Sequence, residues 1–369
     1  MHRRSAPDRL AELDLLRFVA ALTVVAFHYL VAFASVWGAR PSGLFPAVAP
    51  LAGLGILGVE LFFMISGFVI LMSAWGRSVG AFAWSRVIRL YPAYWLSLAA
   101  VIVVSGVMGL KGPDKSMSAA EYAVNATMFQ RLFKVLDANG VYWSLWAELR
   151  FYVIMAVLVI IGITYNRVLV LCGIWLVLAA VAEFLLDNPV LNEFVMPRYA
   201  PYFVAGMALY LIHRRGSAVL PWLLFAGGYA LALNAALERV HGRIKLAGFK
   251  AMPVSDLGVV ITITLIFAAM ALVALGLIRM RPSKTLTALG GTTYPLYLFH
   301  STVAIALIPA LSGSLPPWAV ALVTTLAAVA LSYVVYAFAE RPIQRLLKPR
   351  KNQQTSTDSG VPVEKASVP

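Results

Sequence analysis

The sequence has little charge and an excess of apolar residues. Only 12% of its 369 residues are charged, about half the share of roughly 25% that is usual in soluble domains. Hydrophobic residues make up 61%, against roughly 45–50% in such domains. A soluble chain of this length could not cover so much apolar surface, because even a large domain leaves much of its area in water. This composition excludes a soluble enzyme and a disordered chain, and it indicates an integral membrane protein.

Cysteine and several catalytic motifs are scarce or missing. Cys172 is the only cysteine, which excludes an internal disulfide and a thiolate metal cluster. The sequence contains no GxSxG elbow, no HExxH zinc motif and no phosphate-binding P-loop. A serine nucleophile, a zinc site and nucleotide hydrolysis are therefore not indicated, and we expect neither a metal nor a bound cofactor.

The charge that is present is mainly positive. Lys and Arg number 30 and Asp and Glu number 16, so the formal net charge is +14. On a membrane protein such an excess favours the anionic lipids of the cytoplasmic leaflet. We therefore expect membrane lipids as partners and no nucleic acid.

Long apolar runs predict an all-α, polytopic bundle of about ten transmembrane helices. A spanning helix needs roughly 20 mostly apolar residues. The predicted spans are residues 12–34, 51–75, 84–109, 141–162, 166–186, 199–213, 218–237, 255–279, 289–312 and 317–340. The first span lacks a small-residue cleavage site, so we interpret it as a retained helix and not as a signal peptide.

The distribution of Lys and Arg between alternate loops predicts the orientation. These residues are more numerous on the side that would hold both termini, which places both termini in the cytoplasm. We expect residues 1–348 to form one transmembrane domain. The Ser/Thr-rich residues 349–369 have no apolar period and predict a disordered cytoplasmic tail.

The first span contains ionisable residues, which are functional candidates because each costs a few kcal/mol inside a membrane. Arg17 and His28 are eleven residues apart, so they return to within roughly 20° of the same helix face, about 16 Å apart along the axis. Asp14 lies one turn before Arg17. The alternative is that Arg17 extends to the lipid headgroups and His28 is a hydrogen-bonded interior histidine.

The third span begins with two arginines on one face. Arg86 and Arg89 are three residues apart. Their guanidinium groups match phosphate oxygens, so the pair predicts a site for a phosphorylated ligand. The alternative is ordinary anchoring of a positively charged helix end.

The fourth span places Ser144, Glu148 and Tyr152 on one face, because they are spaced four residues apart. We expect Glu148 at a depth similar to that of His28, where a carboxylate can orient an imidazole and raise its basicity. The alternative is a structural ion pair of Glu148 with Arg150 or Arg17.

The ninth span contains His300, with Tyr297 on the same face. We expect His300 to be buried near the middle of the membrane. A packing role and a direct role in chemistry are both open for this histidine.

Taken in order, these segments resemble acyltransferase family three, the bacterial integral-membrane O-acyltransferases that modify surface polysaccharides. The resemblance covers nearly the whole chain apart from the tail. Its motifs are Leu13–Arg17 with His28, Gly58–Phe68, Arg86 and Arg89 followed by Tyr91-Pro92, Trp143-Ser144-Leu145 with Glu148, Tyr294–His300, and Glu340-Arg341-Pro342.

The resemblance implies an acyl-CoA-dependent O-acyltransferase of the bacterial inner (plasma) membrane. Such an enzyme transfers an acyl group, with acetyl expected here, from cytoplasmic acetyl-CoA or another acyl-CoA. The acceptor is a hydroxyl of an extracytoplasmic or lipid-linked glycan, such as exopolysaccharide or the O-antigen of lipopolysaccharide. The acyl-CoA is a substrate and not a bound cofactor.

The resemblance implies functional roles for Arg17, His28, Arg86, Arg89 and Glu148, and the spacing along the helices adds the supporting residues. We predict that His28 and Glu148 are catalytic, that Arg17, Arg86 and Arg89 bind the donor, and that Asp14, Ser144, Tyr152, Tyr297 and His300 support the site.

A transporter or flippase for a lipid-linked or polyol substrate is the alternative function, because charged residues inside a bundle of about ten spans fit it too. A buried base combined with a phosphate anchor favours the enzyme. A purely structural subunit would leave the buried ionisable residues unexplained.

Overall fold

The computed structural model describes residues 10–108, 117–186, 188–246 and 254–347. Within these ranges the chain is helical and has no β-strand, as predicted. We number the ten long helices α1 to α10. They are α1 Ala11–Phe27, α2 Gly58–Ala74, α3 Val79–Val107, α4 Trp143–Ile160, α5 Tyr165–Phe184, α6 Ala200–Arg215, α7 Val219–Leu246, α8 Asp256–Ala274, α9 Lys284–Leu311 and α10 Pro317–Val335.

Shorter helical segments connect or extend the long helices. Short α-helices are formed by Ala34–Trp37, Pro41–Leu44, Ala49–Gly53, Ala119–Ala126, Pro189–Val195 and Arg341–Leu347. The 3₁₀ turns are Leu54–Leu57 and Gln130–Phe133, and the π-helical turns are His28–Ala32 and Tyr336–Glu340. The expected tail, residues 349–369, lies outside the described residues.

The polytopic architecture predicted from hydropathy is confirmed. In the part of the chain that the structure describes, nine helices are long and apolar enough to cross a membrane. The tenth predicted span, residues 199–213, corresponds to α6, which has 16 residues. At 1.5 Å per residue α6 is about 24 Å long, shorter than the roughly 30 Å of a hydrocarbon core. Its residues from Ala200 to Ile212 are all buried, so protein surrounds α6 along most of its length.

The outer helices expose large apolar side chains, as expected where lipid and not water surrounds the bundle. Each of the following side chains is more than half exposed: Val103 on α3, Val153 on α4, Val177 on α5, Leu223 on α7, Leu265 on α8 and Leu326 on α10.

Helices α2 and α6 form the centre of the bundle and touch through their backbones. A Cβ atom on Gly67 would lie 2.2 Å from the carbonyl oxygen of Phe203, and one on Gly206 would lie 2.0 Å from that of Met64. Small residues permit such close approach of membrane helices. These two contacts fix α2, which carries residues of the site, against a helix that protein encloses along most of its length.

Helix α1 packs between α2 and α9, again through glycines. A Cβ atom on Gly58 would lie 2.6 Å from the carbonyl oxygen of Ala20, and one on Gly290 would lie 2.3 Å from the Asp14 carboxylate. Glycines on both neighbours therefore hold α1 closely. This packing fixes the register of Arg17 and His28 relative to α2 and α9.

Candidate active site

A cavity of about 250 Å³ lies where α1, α2, α3, α4 and α9 meet. Its polar lining residues are Arg17, Ser66, Ser73, Arg86, Arg89, Ser144, Glu148, Tyr152, Thr293, Tyr294 and Tyr297. The three arginines predicted to bind a phosphorylated donor thus line one space together with Glu148. Sequence spacing placed each of them on a helix face, and the packing of five helices brings the faces together.

Arg86 contacts neutral groups. Its Nη2 donates a hydrogen bond to Ser73 Oγ at 3.3 Å, and its Nε donates to Ser85 Oγ at 3.2 Å. Its guanidinium carbon also lies 5.6 Å from the ring centroid of Phe82 and 5.8 Å from that of Tyr152. These hydroxyls and rings orient the guanidinium without a direct ion pair among the contacts described.

Arg17 and Arg89 add two further positive charges to the same space. The guanidinium of Arg17 lies 3.9 Å from the carboxylate of Asp14, one turn earlier on α1. Arg89 lies within electrostatic range of Glu340 and Glu148. Among the lining residues, three guanidinium groups face a single carboxylate, that of Glu148. Asp14 and Glu340 do not line the cavity, so the lining itself carries more positive than negative charge and favours an anionic ligand.

Glu148 is hydrogen-bonded to two other lining residues. Its Oε1 accepts hydrogen bonds from Ser66 Oγ at 3.1 Å and from the hydroxyl of Tyr152 at 2.6 Å. The carboxylate is also within electrostatic range of all three arginines. Arg150, the alternative partner considered for Glu148, instead pairs with Glu193 at 3.1 Å.

Ser144 and Tyr297 form the opposite end of the cavity, which we call the tyrosine end; the end formed by Arg17, Arg86 and Arg89 is the arginine end. Ser144 Oγ lies 2.6 Å from the hydroxyl oxygen of Tyr297, which also donates to the carbonyl of Val141 at 3.1 Å. From Tyr152, beside Arg86, to Ser144 is eight residues of α4, or about 12 Å. The cavity therefore extends along the axis of α4.

His28 and His300 lie next to each other beyond the tyrosine end. Nδ1 of His28 is 3.2 Å from Nε2 of His300, and the two ring centroids are 4.9 Å apart. The ring of His300 is 6.1 Å from that of Tyr297. His300 is fully buried and His28 is half-buried.

The contacts of the two predicted catalytic residues therefore differ. The imidazole of His28 bonds to His300, whereas the carboxylate of Glu148 bonds to Ser66 and Tyr152. The prediction that His28 and Glu148 lie at a similar depth in the membrane did not identify these partners. Depth says nothing about how each helix is rotated about its own axis.

Some lining residues had no role assigned from the sequence, although Ser66 and Tyr294 lie within the motifs that carry the resemblance. Ser66 and Ser73 on α2 and Thr293 and Tyr294 on α9 all line the cavity. The sequence could have indicated a role for Ser66, because a hydroxyl within the apolar run of α2 needs a hydrogen-bond partner. For Ser73 and Thr293 only the packing of the helices reveals the role.

A buried ion pair beside the site was also missed. Arg239 of α7 donates to Oε1 of Glu60 on α2, and its guanidinium carbon lies 4.6 Å from the ring centroid of Trp143. Glu60 could have been flagged as a carboxylate within an apolar span. Arg239 could not, because the predicted span ends at residue 237, whereas α7 continues to Leu246.

The arrangement combines an anion-binding end, a hydrogen-bonded carboxylate and a pair of imidazoles. Such a set can bind a phosphorylated molecule and move a proton at a nearby hydroxyl. In the described ranges, no three His, Cys, Asp or Glu side chains form a group that could hold a metal ion.

Comparison with known proteins confirms the resemblance carried by the motifs. A family model described as an acyltransferase domain matches residues 10–337. The exopolysaccharide production protein ExoZ of Rhizobium meliloti (strain 1021) is 26% identical over 310 residues, which cover 81% of this chain and 92% of that protein. Nodulation protein 10 of Rhizobium leguminosarum bv. viciae is 24% identical over 373 residues, which cover 90% of this chain and 93% of the relative. No solved structure matches.

Proposed function

The chain belongs to this acyltransferase family, and from that premise we propose that it is an acyl-CoA-dependent O-acyltransferase acting on a glycan hydroxyl. The expected acyl group is acetyl, and the expected acceptor is an extracytoplasmic or lipid-linked glycan such as exopolysaccharide or O-antigen. The observation that carries the proposal is the cavity itself. Its arginine end fits an anionic donor, and Tyr297 at its tyrosine end contacts His300, which pairs with His28; neither imidazole is itself a lining residue.

The arginine end is the proposed site for the phosphates of CoA. Arg86 and Arg89 are on consecutive turns of α3, and Arg17 faces them from α1. Guanidinium groups recognise phosphate oxygens through paired hydrogen bonds. In the proposed orientation, both termini and the arginine end face the cytoplasm of the bacterial inner membrane, where acyl-CoA is made.

The proposed path of the acyl group follows the cavity toward the tyrosine end. The pantetheine arm of CoA is flexible and narrow, and Ser66, Glu148 and Tyr152 provide polar contacts along the way. Arg17 and His28 are separated by about 16 Å along α1. Binding the phosphates at one end would therefore present the thioester near the imidazoles at the other.

The proposed reaction is direct transfer. His28 removes the proton from the acceptor hydroxyl as its oxygen attacks the thioester carbonyl carbon. The tetrahedral intermediate collapses, the carbon–sulfur bond breaks, and the CoA thiolate takes the proton from the imidazolium. The products are the O-acylated glycan and CoA, and His28 returns to its neutral form.

A polysaccharide acceptor is supported by one relative. ExoZ is an exopolysaccharide production protein by name, and it aligns over 92% of its own length. We propose a surface glycan as the acceptor on this basis. Half-buried Trp143 and Tyr199 lie near the Glu60–Arg239 pair, with ring centroids 5.5 Å apart, and provide aromatic surface beside the tyrosine end.

The test is an assay of the purified protein in lipid nanodiscs with radiolabelled acetyl-CoA. We expect CoA release that depends on added polysaccharide or lipid-linked oligosaccharide, and label that becomes ester-linked to the glycan. The same preparation of His28→Ala serves as the control. Equal CoA release by both preparations would contradict the proposal. Movement of an unmodified substrate across proteoliposomes would support the transporter alternative instead.

A further inference from the structure

We propose that His300 is the positioning residue for His28: its Nε2 shares the Nδ1–H of His28 with the carbonyl of Val24 and holds the ring in place, with the lone pair of His28 on Nε2. In the proposed reaction, Nε2 is then the atom that takes the proton of the acceptor. This inference rests on the proposed function and adds to it a second imidazole and a defined tautomer.

The first step is the protonation of His300. Its Nδ1 lies 2.8 Å from the carbonyl oxygen of Tyr297 and 3.1 Å from that of Leu296. A carbonyl oxygen can only accept, so the hydrogen must be on Nδ1 of the ring. A neutral imidazole carries one N–H, which leaves the lone pair of His300 on Nε2.

The second step carries this assignment to His28. Its Nδ1 lies 2.9 Å from the carbonyl oxygen of Val24 and 3.2 Å from Nε2 of His300. Both neighbours are acceptors, so Nδ1 of His28 carries the hydrogen. The hydrogen-bond network thereby assigns the lone pair of neutral His28 to Nε2.

The third step concerns how the two rings are held. Tyr29 follows His28 in sequence, and its hydroxyl donates to the carbonyl oxygen of His300 at 2.7 Å. The π-helical turn His28–Ala32 begins at the same point, with Phe33 N donating to His28 O at 3.0 Å. Such turns occur often at functional sites. Two consecutive residues of this turn thus contact one residue of α9, the first by its ring and the second by its hydroxyl.

Aromatic packing limits rotation of the His28 ring. The centroids of Phe27 and Phe33 each lie 5.1 Å from the centroid of His28. Together with His300 they contact the imidazole from three directions. Rotation of the ring would break the hydrogen bond to His300 and also these contacts.

The arrangement suits a base in an apolar bundle. When His28 takes a proton on Nε2, its Nδ1–H becomes a charged donor, and its hydrogen bond to His300 becomes stronger. No atom has to move for this to happen. A neutral imidazole partner also avoids burying a second charge when His28 is neutral.

A spectroscopic experiment tests the tautomers directly. The ¹⁵N chemical shifts of histidine rings distinguish Nδ1–H from Nε2–H. We expect both neutral His28 and His300 to be Nδ1–H in ¹⁵N-histidine-labelled protein in nanodiscs, with assignments from the His28→Gln and His300→Gln spectra. In His300→Asn, the carbonyl of Val24 still accepts from Nδ1–H, so His28 should keep this tautomer, but its Nδ1 shift should change because the hydrogen bond to position 300 is lost. A neutral His28 in the Nε2–H form in the unmodified protein would overturn the proposal.

A matched pair of variants tests the function of the contact. Gln at position 300 can place an amide oxygen near the position of Nε2, whereas Asn retains a donor for the helix carbonyls but is too short to reach His28. We expect His300→Asn to lower kcat about 100-fold, because small misplacement of a catalytic group has effects of this size. His300→Gln should retain kcat within about fivefold, and KM for acetyl-CoA should be unchanged in both.

The outcomes separate the two proposals. Equal loss of kcat in His300→Asn and His300→Gln, at equal amounts of folded protein, would overturn the positioning role and leave acyl transfer intact. If the unmodified protein releases no CoA in an acceptor-dependent way, the proposed function fails. The ¹⁵N shifts then still decide whether the hydrogen bond between the two histidines exists.

Discussion

Glu60 of α2 and Arg239 of α7 form an ion pair inside the bundle, although 179 residues separate them in the sequence. The side chain of Glu60 is 1% exposed and that of Arg239 is 11% exposed. Arg239 also covers the face of Trp143, which is the first residue of α4. The pair therefore links α2, α7 and α4 beside the tyrosine end.

Removal of one partner of this pair should destabilise the bundle. We expect Glu60→Gln to lower the free energy of unfolding by about 3–5 kcal/mol, because the charge of Arg239 is then buried without compensation. Thermal unfolding in detergent measures the effect. Arg198→Gln is the control, since the pair of Arg198 with Glu238 is 3.8 Å long and exposed, and exposed pairs contribute only about 0–1 kcal/mol. Equal unfolding temperatures for the two variants would contradict this account.

The contact between α2 and α6 should tolerate no added methyl group. A Cβ at Gly206 would lie 2.0 Å from a backbone oxygen of Met64, so Gly206→Ala should separate the helices at a cost of about 1–3 kcal/mol or more. Gly173→Ala on α5 is the matched control, because nothing lies within 4 Å of its Cβ position. The control should be neutral or slightly stabilising, since Ala favours helix more than Gly does. Unfolding temperatures of both variants provide the comparison.

Arg86 should contribute to donor affinity more than to the chemical step. We expect Arg86→Gln to raise the Kd for CoA about 10–100-fold, as for loss of a hydrogen bond to a charged group. Arg86→Lys should not fully restore it, because an ammonium group lacks the paired donors. Arg167→Gln is the control, since the guanidinium of Arg167 bonds to the carbonyls of Ile161 and Gly162. Unaltered CoA binding by Arg86→Gln in calorimetry would remove Arg86 from the proposed donor site.

His28 should be required for transfer. Loss of a general base typically lowers rates about 10²–10⁴-fold, so His28→Ala should abolish most transfer at an unchanged level of protein in the membrane. His213→Ala is the control, because Nδ1 of His213 bonds to the carbonyl of Ala274, away from the cavity lining. Full activity of His28→Ala in the radiolabel assay would eliminate the proposed base.

Tyr29→Phe should weaken the proposed positioning of His28 without removing either imidazole. The variant lacks only the hydroxyl that donates to the carbonyl of His300. We expect kcat to fall several-fold, because small displacements of the base reduce the rate. Tyr202→Phe loses a comparable buried hydrogen bond, at 3.0 Å to the carbonyl of Ala232, and should retain kcat. A similar decrease of kcat in the two variants would indicate a general effect of lost stability.

Several features of the protein follow from local sequence. An apolar run must be helical to satisfy its backbone groups in lipid, so hydropathy alone located the spans. The regular rise of a helix placed Arg86 with Arg89, and Ser144 with Glu148 and Tyr152, on shared faces that do line one cavity. The motif order indicated the family that the comparison then identified.

Other features depended on how the helices pack. Local sequence specifies the axial depth of a side chain, but the rotation and register of a helix are set by contacts with distant segments, such as those of Gly206 with Met64 and of Gly290 with Asp14. For this reason only the tertiary structure showed that His28 contacts His300, that Glu148 bonds to Ser66 and Tyr152, and that Arg239 is inside the bundle. It likewise showed that α6 is enclosed by protein along most of its length. The composition of the chain thus determined that it folds as membrane helices, and the close packing of glycines between those helices decided which polar groups meet.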